Sequence, residues 1–232
     1  MINTAIILAG GQSTRLKSLT KDLPKPMMDI NGKPILEYLI LQLKKSGIKR
    51  IIISVGYLAQ TIIDYFADGK KWGVDITYSI ETEALGTGGA VKRIADNLSN
   101  PFILLWGDNL TDINFKKMIS RYNLRRTNLL MVLVEREDTE NFGVVVVQDQ
   151  DIIGFVEKPK REDAPSTLVN AGCFIITPDL LKNMPVKFSI EKELFEKIVT
   201  QQKVSYYIHN GMWLPTDTPE KLEMARLKWK FI

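Results

Sequence analysis

The sequence predicts an α/β fold, in which a parallel sheet is covered by helices on both faces and carries a smaller extension of the sheet. Apolar runs of strand length alternate with segments of helical spacing through the first half of the chain. That alternation is typical of a parallel sheet built with right-handed crossovers. The second half is mixed, because several of its strand-like runs are separated only by short turns such as Gln148-Asp149-Gln150.

The predicted elements of the first half are the strands Thr4–Leu8, Arg50–Val55, Val74–Ile80 and Phe102–Trp106 and the helices Pro34–Ser46, Leu58–Phe66 and Gly88–Asn97. The first strand is a short apolar run that ends at Gly10-Gly11, which is typical of a buried strand leading into a glycine loop. Ligands of such sheets lie at the carboxyl ends of the strands. We therefore expect the loops after Leu8, Ile80 and Trp106 to face one site.

The predicted elements of the second half are the strands Leu129–Val134, Gly143–Val147, Ile152–Glu157 and Gly172–Thr177 and the helices Phe188–Thr200 and Pro219–Lys230. A further strand is expected before His209, the only histidine, which we interpret as a surface or hydrogen-bonded residue. The chain shows no internal repeat, no low-complexity stretch and no linker rich in Gly or Ser. We therefore expect a single domain spanning residues 1–232.

Composition limits the function classes. The net charge of +4 is spread along the chain, which favours an ordinary mixed surface. It is weak evidence for anionic small substrates and weaker evidence for nucleic acid. Cys173 is the only cysteine and lies in an apolar run, which indicates a buried inert thiol and excludes an internal disulfide. No basic and apolar leader precedes Ala5, and no apolar run approaches the roughly 18 residues that span a membrane. We expect a cytoplasmic protein with neither a nucleic-acid nor a membrane partner.

The strongest motif combines the loop Leu8-Ala9-Gly10-Gly11-Gln12-Ser13-Thr14-Arg15-Leu16 with the segment Pro24-Lys25-Pro26. Two glycines let the backbone approach a phosphate, and their N–H groups can form an anion-binding nest. Arg15 can bind phosphate oxygens through two parallel hydrogen bonds, and the prolines give Lys25 a stiff backbone. The loop has neither the Gly-Lys-Ser/Thr of a P-loop nor the dinucleotide fingerprint. The alternative is a plain strand-to-loop turn with surface cations.

These residues resemble the signature of the sugar-phosphate nucleotidyltransferases, also called nucleoside-diphosphate-sugar pyrophosphorylases, and later landmarks follow in the family's order over nearly the whole chain. The resemblance implies a Rossmann-like, mostly parallel mixed sheet with flanking helices and a small antiparallel extension, a GT-A-like nucleotidyltransferase fold. It also implies a nucleotide-binding half at about residues 1–110 and a sugar-phosphate-binding half at about residues 111–232.

The resemblance implies a set of nucleotide-binding residues, which are Leu8, Ala9, Gly10, Gly11, Thr14, Arg15, Lys25, Glu81, Gly86 and Thr87. Arg15, Lys25 and Asp108 are implied to be catalytic. Glu81 and the segment Leu85-Gly86-Thr87-Gly88-Gly89-Ala90 resemble the family's loop for the base and ribose. The alternative for these glycines is a simple helix N-terminus.

The resemblance also implies Mg²⁺ as cofactor, held by Asp108 and by a second carboxylate near the C-terminus. Asp108 follows a predicted strand, where a carboxylate can share Mg²⁺ with phosphates, although an isolated Asp-Asn pair is more often only a turn. Most relatives have Trp-x-Asp-x-Gly-Thr-Pro, whereas this chain has Trp213-Leu214-Pro215-Thr216-Asp217-Thr218-Pro219. That variant resembles the glucose-1-phosphate cytidylyltransferases and implies Asp217 as the second ligand. The alternative is that Asp217 caps the helix that begins near Pro219.

The sugar-phosphate-binding residues that the resemblance implies are Asn109, Gly143, Glu157, Lys158 and Asn170. Glu157-Lys158-Pro159 resembles the family's lysine motif, in which Lys158 holds the phosphate and Glu157 contacts a sugar hydroxyl. Without the other motifs, this segment is equally well a charged strand exit before a proline turn.

The implied reaction joins a nucleoside triphosphate to a sugar 1-phosphate and releases pyrophosphate. The sugar phosphate already carries an anionic oxygen, so in-line attack on the α-phosphorus needs positioning and charge neutralisation rather than a side-chain base. The compact length and Phe188-Ser189-Ile190-Glu191 resemble guanylyltransferases for mannose or heptose 1-phosphate. Cytidylyl-, uridylyl- and thymidylyltransferases of the same family are alternatives. So are a glycosyltransferase and a non-catalytic regulator that binds nucleotide sugars. The resemblance leaves a homo-oligomer open.

Overall fold

The computed structural model describes residues 2–11 and 23–230. The chain groups into two compact units that interleave along the sequence. The first unit comprises Asn3–Glu83, Leu105–Phe115 and Gly211–Ile232, and the second unit comprises Met1–Ile2, Ala84–Leu104 and Lys116–Asn210. Each unit is thus built from segments that are distant in the sequence.

The strands are β1 (Thr4–Leu8), β2 (Asp29–Ile30), β3 (Lys33–Pro34), β4 (Arg50–Val55), β5 (Asp75–Ile80), β6 (Phe102–Trp106), β7 (Asn109–Thr111), β8 (Leu129–Glu135), β9 (Gly143–Gln148), β10 (Asp151–Glu157), β11 (Leu168–Ile176), β12 (Val204–Ile208) and β13 (Trp213–Pro215). The α-helices are α1 (Ile35–Lys45), α2 (Ala59–Phe66), α3 (Gly86–Ala95), α4 (Phe115–Arg125), α5 (Glu196–Gln201) and α6 (Pro219–Lys228). Strands and helices alternate through the first half, which confirms the α/β fold with a mostly parallel mixed sheet and small antiparallel sheets.

The first unit is organised by parallel strands in the order β5-β4-β1. Their registers pair Leu8 with Ser54 and Ser54 with Ser79, so the three strands end at the same edge. β1 and β4 are buried along nearly their whole length, as expected for parallel strands covered by helices, whereas β5 at the edge is mostly exposed or half-buried.

The C-terminal residues belong to the first unit because β13 pairs with β7. The ladder is antiparallel and places Pro215 opposite Asn109. An apolar cluster supports it, in which residues of α1 and α6 pack around Leu110 of β7. Within that cluster the rings of Tyr38 and Trp229 meet edge to face, with centroids 5.6 Å apart. This packing fixes the segments on either side of the ladder.

The second unit contains five strands in the order β11-β8-β12-β10-β9, of which β8 and β12 are parallel. β9 also pairs with β11 through Val144 and Val169, so the outer strands meet. Phe195 packs against Phe174 and Phe155, with ring centroids 4.8 Å and 5.7 Å apart. These three buried rings form part of the core of this unit.

Two predicted elements differ from the structure by more than a shift of one or two residues at an end. The strand expected over Gly172–Thr177 begins at Leu168, because the ladder with β8 continues through Asn170 and then shifts register at a bulge where Gly172 has φ +66°. The helix expected over Phe188–Thr200 begins with a π-helical turn, Ile190–Phe195, and becomes α-helical only at Glu196. Both interruptions depend on long-range packing.

One prediction about a single residue is confirmed. Cys173 is buried, and that burial raises the pKa of its thiol well above the usual value, so the thiol is inert. His209 is buried at the end of β12, and its backbone nitrogen donates to the Leu133 carbonyl. Among the helices of the described residues, none has the length and apolar character needed to span a bilayer.

Candidate active site

The glycines after β1 and β6 let the strand ends approach one another closely. A Cβ at Gly10 would lie 3.0 Å from Glu81 Oε1, and a Cβ at Gly107 would lie 2.8 Å from the Leu8 carbonyl oxygen. The Gly107 nitrogen donates to that same oxygen at 2.9 Å. Gly11 differs, because no described atom lies within 4 Å of a Cβ built there. Packing therefore constrains Gly10, whereas no described residue crowds Gly11.

The carboxylate of Glu81 is oriented by Ser54 at the edge where β4 and β5 end. Ser54 is fully buried, and its hydroxyl donates to Glu81 Oε1 at 2.8 Å. The backbone nitrogen of Glu81 donates to the Val55 carbonyl at 2.8 Å, and that of Ala9 donates to the Ser54 carbonyl at the same distance. The Glu81 side chain is half-buried, so a ligand can still reach its carboxylate.

Lys25 and Asp108 form an ion pair across 83 residues of sequence. Lys25 begins a single 3-10 turn after the extended Pro24, and its Nζ donates to Asp108 Oδ2 at 2.6 Å. The side chain of Lys25 is 10% exposed and that of Asp108 is 36% exposed. A short, partly desolvated pair of this kind holds its members more firmly than a surface pair does. The cation expected from Pro24-Lys25-Pro26 is thus fixed beside the expected metal aspartate.

The β7–β13 ladder brings Asp217 to the same region. Asp108 precedes β7 and Thr216 follows β13, and the Thr216 hydroxyl donates to the Asp108 carbonyl at 2.7 Å. Asp217 is the next residue. Asn109 lies within β7, half-buried and opposite Pro215. Two carboxylates that are distant in the sequence therefore lie near the Lys25 ammonium.

Asp217 is held as a carboxylate by neighbouring cations. Its Oδ1 accepts from Lys221 Nζ at 2.9 Å. Burial raises the pKa of Asp217, but the hydrogen bond and charge of Lys221 and the charge of Lys25 outweigh burial and hold that pKa below its ordinary value. The alternative role as helix cap is wrong, because Thr218 is the N-cap and its hydroxyl accepts from the Lys221 nitrogen at 3.3 Å.

Asp108 and Asp217 suit a cation that is shared with substrate. The described residues contain no group of three or more His, Cys, Asp or Glu side chains arranged to hold a metal ion. Mg²⁺ does not need such a cage, since it commonly binds one or two carboxylates together with phosphates and keeps several waters. The donor set fits that mode of binding.

The segment of residues 85–89, named here the 85–89 loop, comprises the N-cap Leu85 and the first turn of α3, and it packs on the segment that begins at Phe188. The Gly88 nitrogen donates to the Phe188 carbonyl at 3.0 Å, and the Phe188 nitrogen donates to the Leu85 carbonyl at 3.0 Å. Gly86 has φ +75°, a conformation that favours glycine. The Thr87 hydroxyl donates to Glu191 Oε2 at 2.7 Å and accepts from the Ile190 nitrogen at 3.0 Å. These internal bonds engage the Thr87 hydroxyl, so the loop presents mainly its backbone to a ligand.

Gly143, Glu157 and Asn170 lie together in the second unit. The β9–β10 ladder pairs Gly143 with Glu157, and Asn170 Nδ2 donates to the Gly143 carbonyl at 3.5 Å. Asn170 Oδ1 accepts from the Gly172 nitrogen at 3.1 Å. Glu157 Oε2 is buried with no hydrogen-bond partner. A buried carboxylate oxygen of this kind calls for a donor such as a ligand hydroxyl.

Lys158 turns away from the ladder in the left-handed region, with φ +49°. Its nitrogen donates to the Phe142 carbonyl at 3.0 Å, and its exposed Nζ lies 3.2 Å from Glu157 Oε1. Burial raises the pKa of Glu157; Lys158 opposes that rise, while the charges of Glu191 and Glu196 add to it. The Lys158 ammonium is therefore accessible to a ligand, whereas the neighbouring Glu157 carboxylate at the end of β10 is largely buried.

The structure places the expected site residues in two groups. The first unit holds Leu8, Ala9, Gly10, Gly11, Lys25, Glu81, Asp108, Asn109 and Asp217, and the second unit holds Gly86, Thr87, Gly143, Glu157, Lys158 and Asn170. Thr14 and Arg15 lie outside the described residues. Sequence reasoning missed Ser54, Thr216 and Glu196, the last of which accepts from the Glu157 nitrogen at 3.1 Å.

Comparisons with known proteins identify the family of this chain. A family model described as nucleotidyl transferase matches residues 4–229. A D-glycero-alpha-D-manno-heptose 1-phosphate guanylyltransferase of Campylobacter jejuni is 41% identical over 93% of this chain and 95% of its own. The enzyme of the same name from Aneurinibacillus thermoaerophilus is 33% identical over 96% of each chain. The crystal structure of HddC from Yersinia pseudotuberculosis complexed with GMP-PN is 32% identical, covers 99% of this chain and 100% of its own, and superposes with a TM-score of 0.83. The chain belongs to the nucleotidyl transferase family.

Proposed function

We propose that this protein is a guanylyltransferase that joins GTP to a sugar 1-phosphate of the manno-heptose type, giving a GDP-sugar and pyrophosphate. The observation that carries the reaction class is the buried Lys25 ammonium on Asp108, with the ionised Asp217 close by. A fixed cation near two carboxylates suits a polyphosphate that brings its own divalent cation. Both relatives compared above are named as guanylyltransferases of a manno-heptose 1-phosphate, which supports a heptose rather than mannose as the sugar.

Glu81 supports guanine as the base. An ionised carboxylate only accepts hydrogen bonds, and the Watson–Crick edge of guanine presents two adjacent donors, N1–H and the N2 amino group. Ser54 holds Oε1 of this carboxylate, so its orientation is set before a base arrives. The other four bases pair a donor with an acceptor on that edge, and an acceptor-only group matches them less well.

The residues of this chain act by positioning and by neutralising charge. A phosphate oxygen of the sugar 1-phosphate attacks the α-phosphorus, the new P–O bond forms, and the α–β bridging bond breaks with its electron pair leaving on pyrophosphate. Lys158 would hold the attacking phosphate and Lys25 the triphosphate, which offsets the repulsion between the two anions. The buried Oε2 of Glu157 would accept from a sugar hydroxyl.

Asp108 and Asp217 would hold Mg²⁺ together with the triphosphate, since both offer the oxygen ligands that Mg²⁺ prefers. Bound there, the ion would supply further neutralisation of phosphate charge.

That the protein is cytoplasmic and that it forms a homo-oligomer both remain predictions.

The test is pyrophosphate release by the full chain with Mg²⁺, crossing GTP, CTP, UTP, dTTP and ATP against heptose, mannose and glucose 1-phosphates. We expect GTP with the manno-configured sugars to exceed every other pair by about a hundredfold or more, as a site built on matched hydrogen bonds allows. A preference for CTP would instead support the cytidylyltransferase-like element at Pro215–Asp217. Triphosphate binding without turnover would favour the non-catalytic alternative.

A further inference from the structure

Glu191 links the 85–89 loop to the start of the helix that follows Phe188. Its Oε2 accepts two hydroxyl protons, from Thr87 and from Ser189, each at 2.7 Å. The Thr87 hydroxyl in turn accepts from the Ile190 nitrogen at 3.0 Å. The three side chains thus close a small network between segments 104 residues apart.

Backbone hydrogen bonds at Phe188 also hold the 85–89 loop. Three of its five residues are glycine, the residue type with the most conformational freedom to lose on ordering. Hydrogen bonds to an ionised acceptor are about twice as strong as neutral ones. The carboxylate of Glu191 therefore adds two charge-assisted hydrogen bonds to the backbone contacts.

We propose that Glu191 is a positioning residue, which holds the 85–89 loop in its nucleotide-binding conformation by accepting the hydroxyl protons of Thr87 and Ser189. The inference rests on the proposed function of that loop. Glu191 itself contacts no substrate in this role. It acts on nucleotide affinity by keeping the loop backbone ordered, so that binding does not have to order it.

The test compares Glu191→Ala, Glu191→Gln and the matched control Glu193→Ala in the full chain. Glu193 belongs to the same helical turn, but its carboxylate accepts only from the Ser189 backbone nitrogen, at 3.5 Å. Equilibrium binding of GTP in Mg²⁺ buffer is measured by calorimetry. We expect Glu191→Ala to raise the Kd for GTP about tenfold or more, since two charge-assisted hydrogen bonds are lost. Glu191→Gln keeps an acceptor oxygen and should stay within about threefold, as should Glu193→Ala.

Kinetics separates positioning from a general loss of structure. Loss of loop order before binding predicts a raised KM for GTP at unchanged kcat, with the KM for the sugar 1-phosphate within about twofold. If Glu191→Ala does not fold, the pair Ser189→Ala and Ser189→Thr gives a second comparison, because only threonine keeps a hydroxyl that can donate to Glu191.

Three results would overturn the proposal: unchanged GTP affinity in Glu191→Ala, an equal loss in Glu193→Ala, or no rescue by Glu191→Gln. A wild-type chain that binds GTP but turns over no sugar 1-phosphate would refute the proposed reaction, while the affinity ratio of the variants would still decide the role of Glu191. If CTP or another triphosphate binds in place of GTP, the base assignment fails and the same ratio is measured with that nucleotide. A chain that binds none of the five would overturn both.

Discussion

Replacing Lys25 by methionine removes the ammonium but keeps an unbranched apolar stem of similar length. The side chain is 10% exposed, so the stem should continue to fill its place in the 3-10 turn. Asp108 loses its partner at 2.6 Å, and Asp217 loses an attractive charge. The change therefore isolates the electrostatic contribution of Lys25.

The expected loss of turnover is much larger than the expected loss of stability. Removing one preorganised electrostatic contact costs about a hundredfold to a thousandfold in kcat, or about 2.7–4 kcal/mol. Breaking a buried ion pair costs about 3–5 kcal/mol of unfolding free energy, but Asp108 is 36% exposed and can be hydrated, so we expect about 1–2 kcal/mol. For a chain of this size that is a fall in Tm of about 2–8 °C.

The assay is pyrophosphate release at saturating GTP and sugar 1-phosphate, with Tm measured on the same samples. Lys33→Met is the matched control, because Lys33 also forms an ion pair, with Glu37 at 2.9 Å, and neither residue is among the candidate site residues. We expect the control to keep wild-type turnover. A folded Lys25→Met protein with turnover within about threefold of wild type would refute the role of Lys25, and an equal loss in the control would attribute the effect to stability.

Three further predictions follow from the other carboxylates. Glu81→Gln should lower the ratio of kcat/KM for GTP to kcat/KM for UTP about tenfold or more, because the amide NH₂ is a donor that faces the donor N–H groups of guanine. An unchanged ratio would show that Glu81 does not recognise the base. Asp217→Asn should raise the Mg²⁺ concentration needed for half-maximal turnover, and an unchanged Mg²⁺ titration would refute the ligand role. The Tm should change little, because the (i, i+4) ion pair of Asp217 with Lys221 contributes only about 0.3–0.5 kcal/mol to stability. Burial raises the pKa of Glu157, so on acidification its carboxylate becomes protonated at a higher pH than that of an ordinary glutamate. The KM for sugar 1-phosphate should therefore rise as the pH falls through that raised pKa. Glu157→Gln should abolish this rise, and a rise that persists would place the titration elsewhere.

Local patterns were sufficient to predict most of the elements. β1, β4 and β6 have the bounds expected from apolar runs ended by glycine or charged residues. α4, Phe115–Arg125, was not predicted, because its many charged and polar residues obscure the buried positions Phe115 and Met118. The helix becomes recognisable only through packing, as where the Cys173 thiol contacts the Met118 sulfur at 3.6 Å.

Contacts between distant segments were beyond the reach of sequence patterns. Nothing local pairs Lys25 with Asp108 or places Thr216 against the Asp108 carbonyl, since both contacts depend on the β7–β13 ladder and its apolar support. Ser54 gave a weak signal, as a polar residue inside an apolar strand. Motif resemblance named the residues of the site, whereas the structure shows which neighbours orient them.

The most direct test of the reaction follows the label from α-³²P- and γ-³²P-labelled GTP during turnover with manno-heptose 1-phosphate. The account predicts that the α-label enters the GDP-sugar, while the γ-label leaves in pyrophosphate in equal amount. Release of the α-label as free GDP or GMP, or of the γ-label as inorganic phosphate, would contradict transfer of a nucleotidyl group to the sugar phosphate.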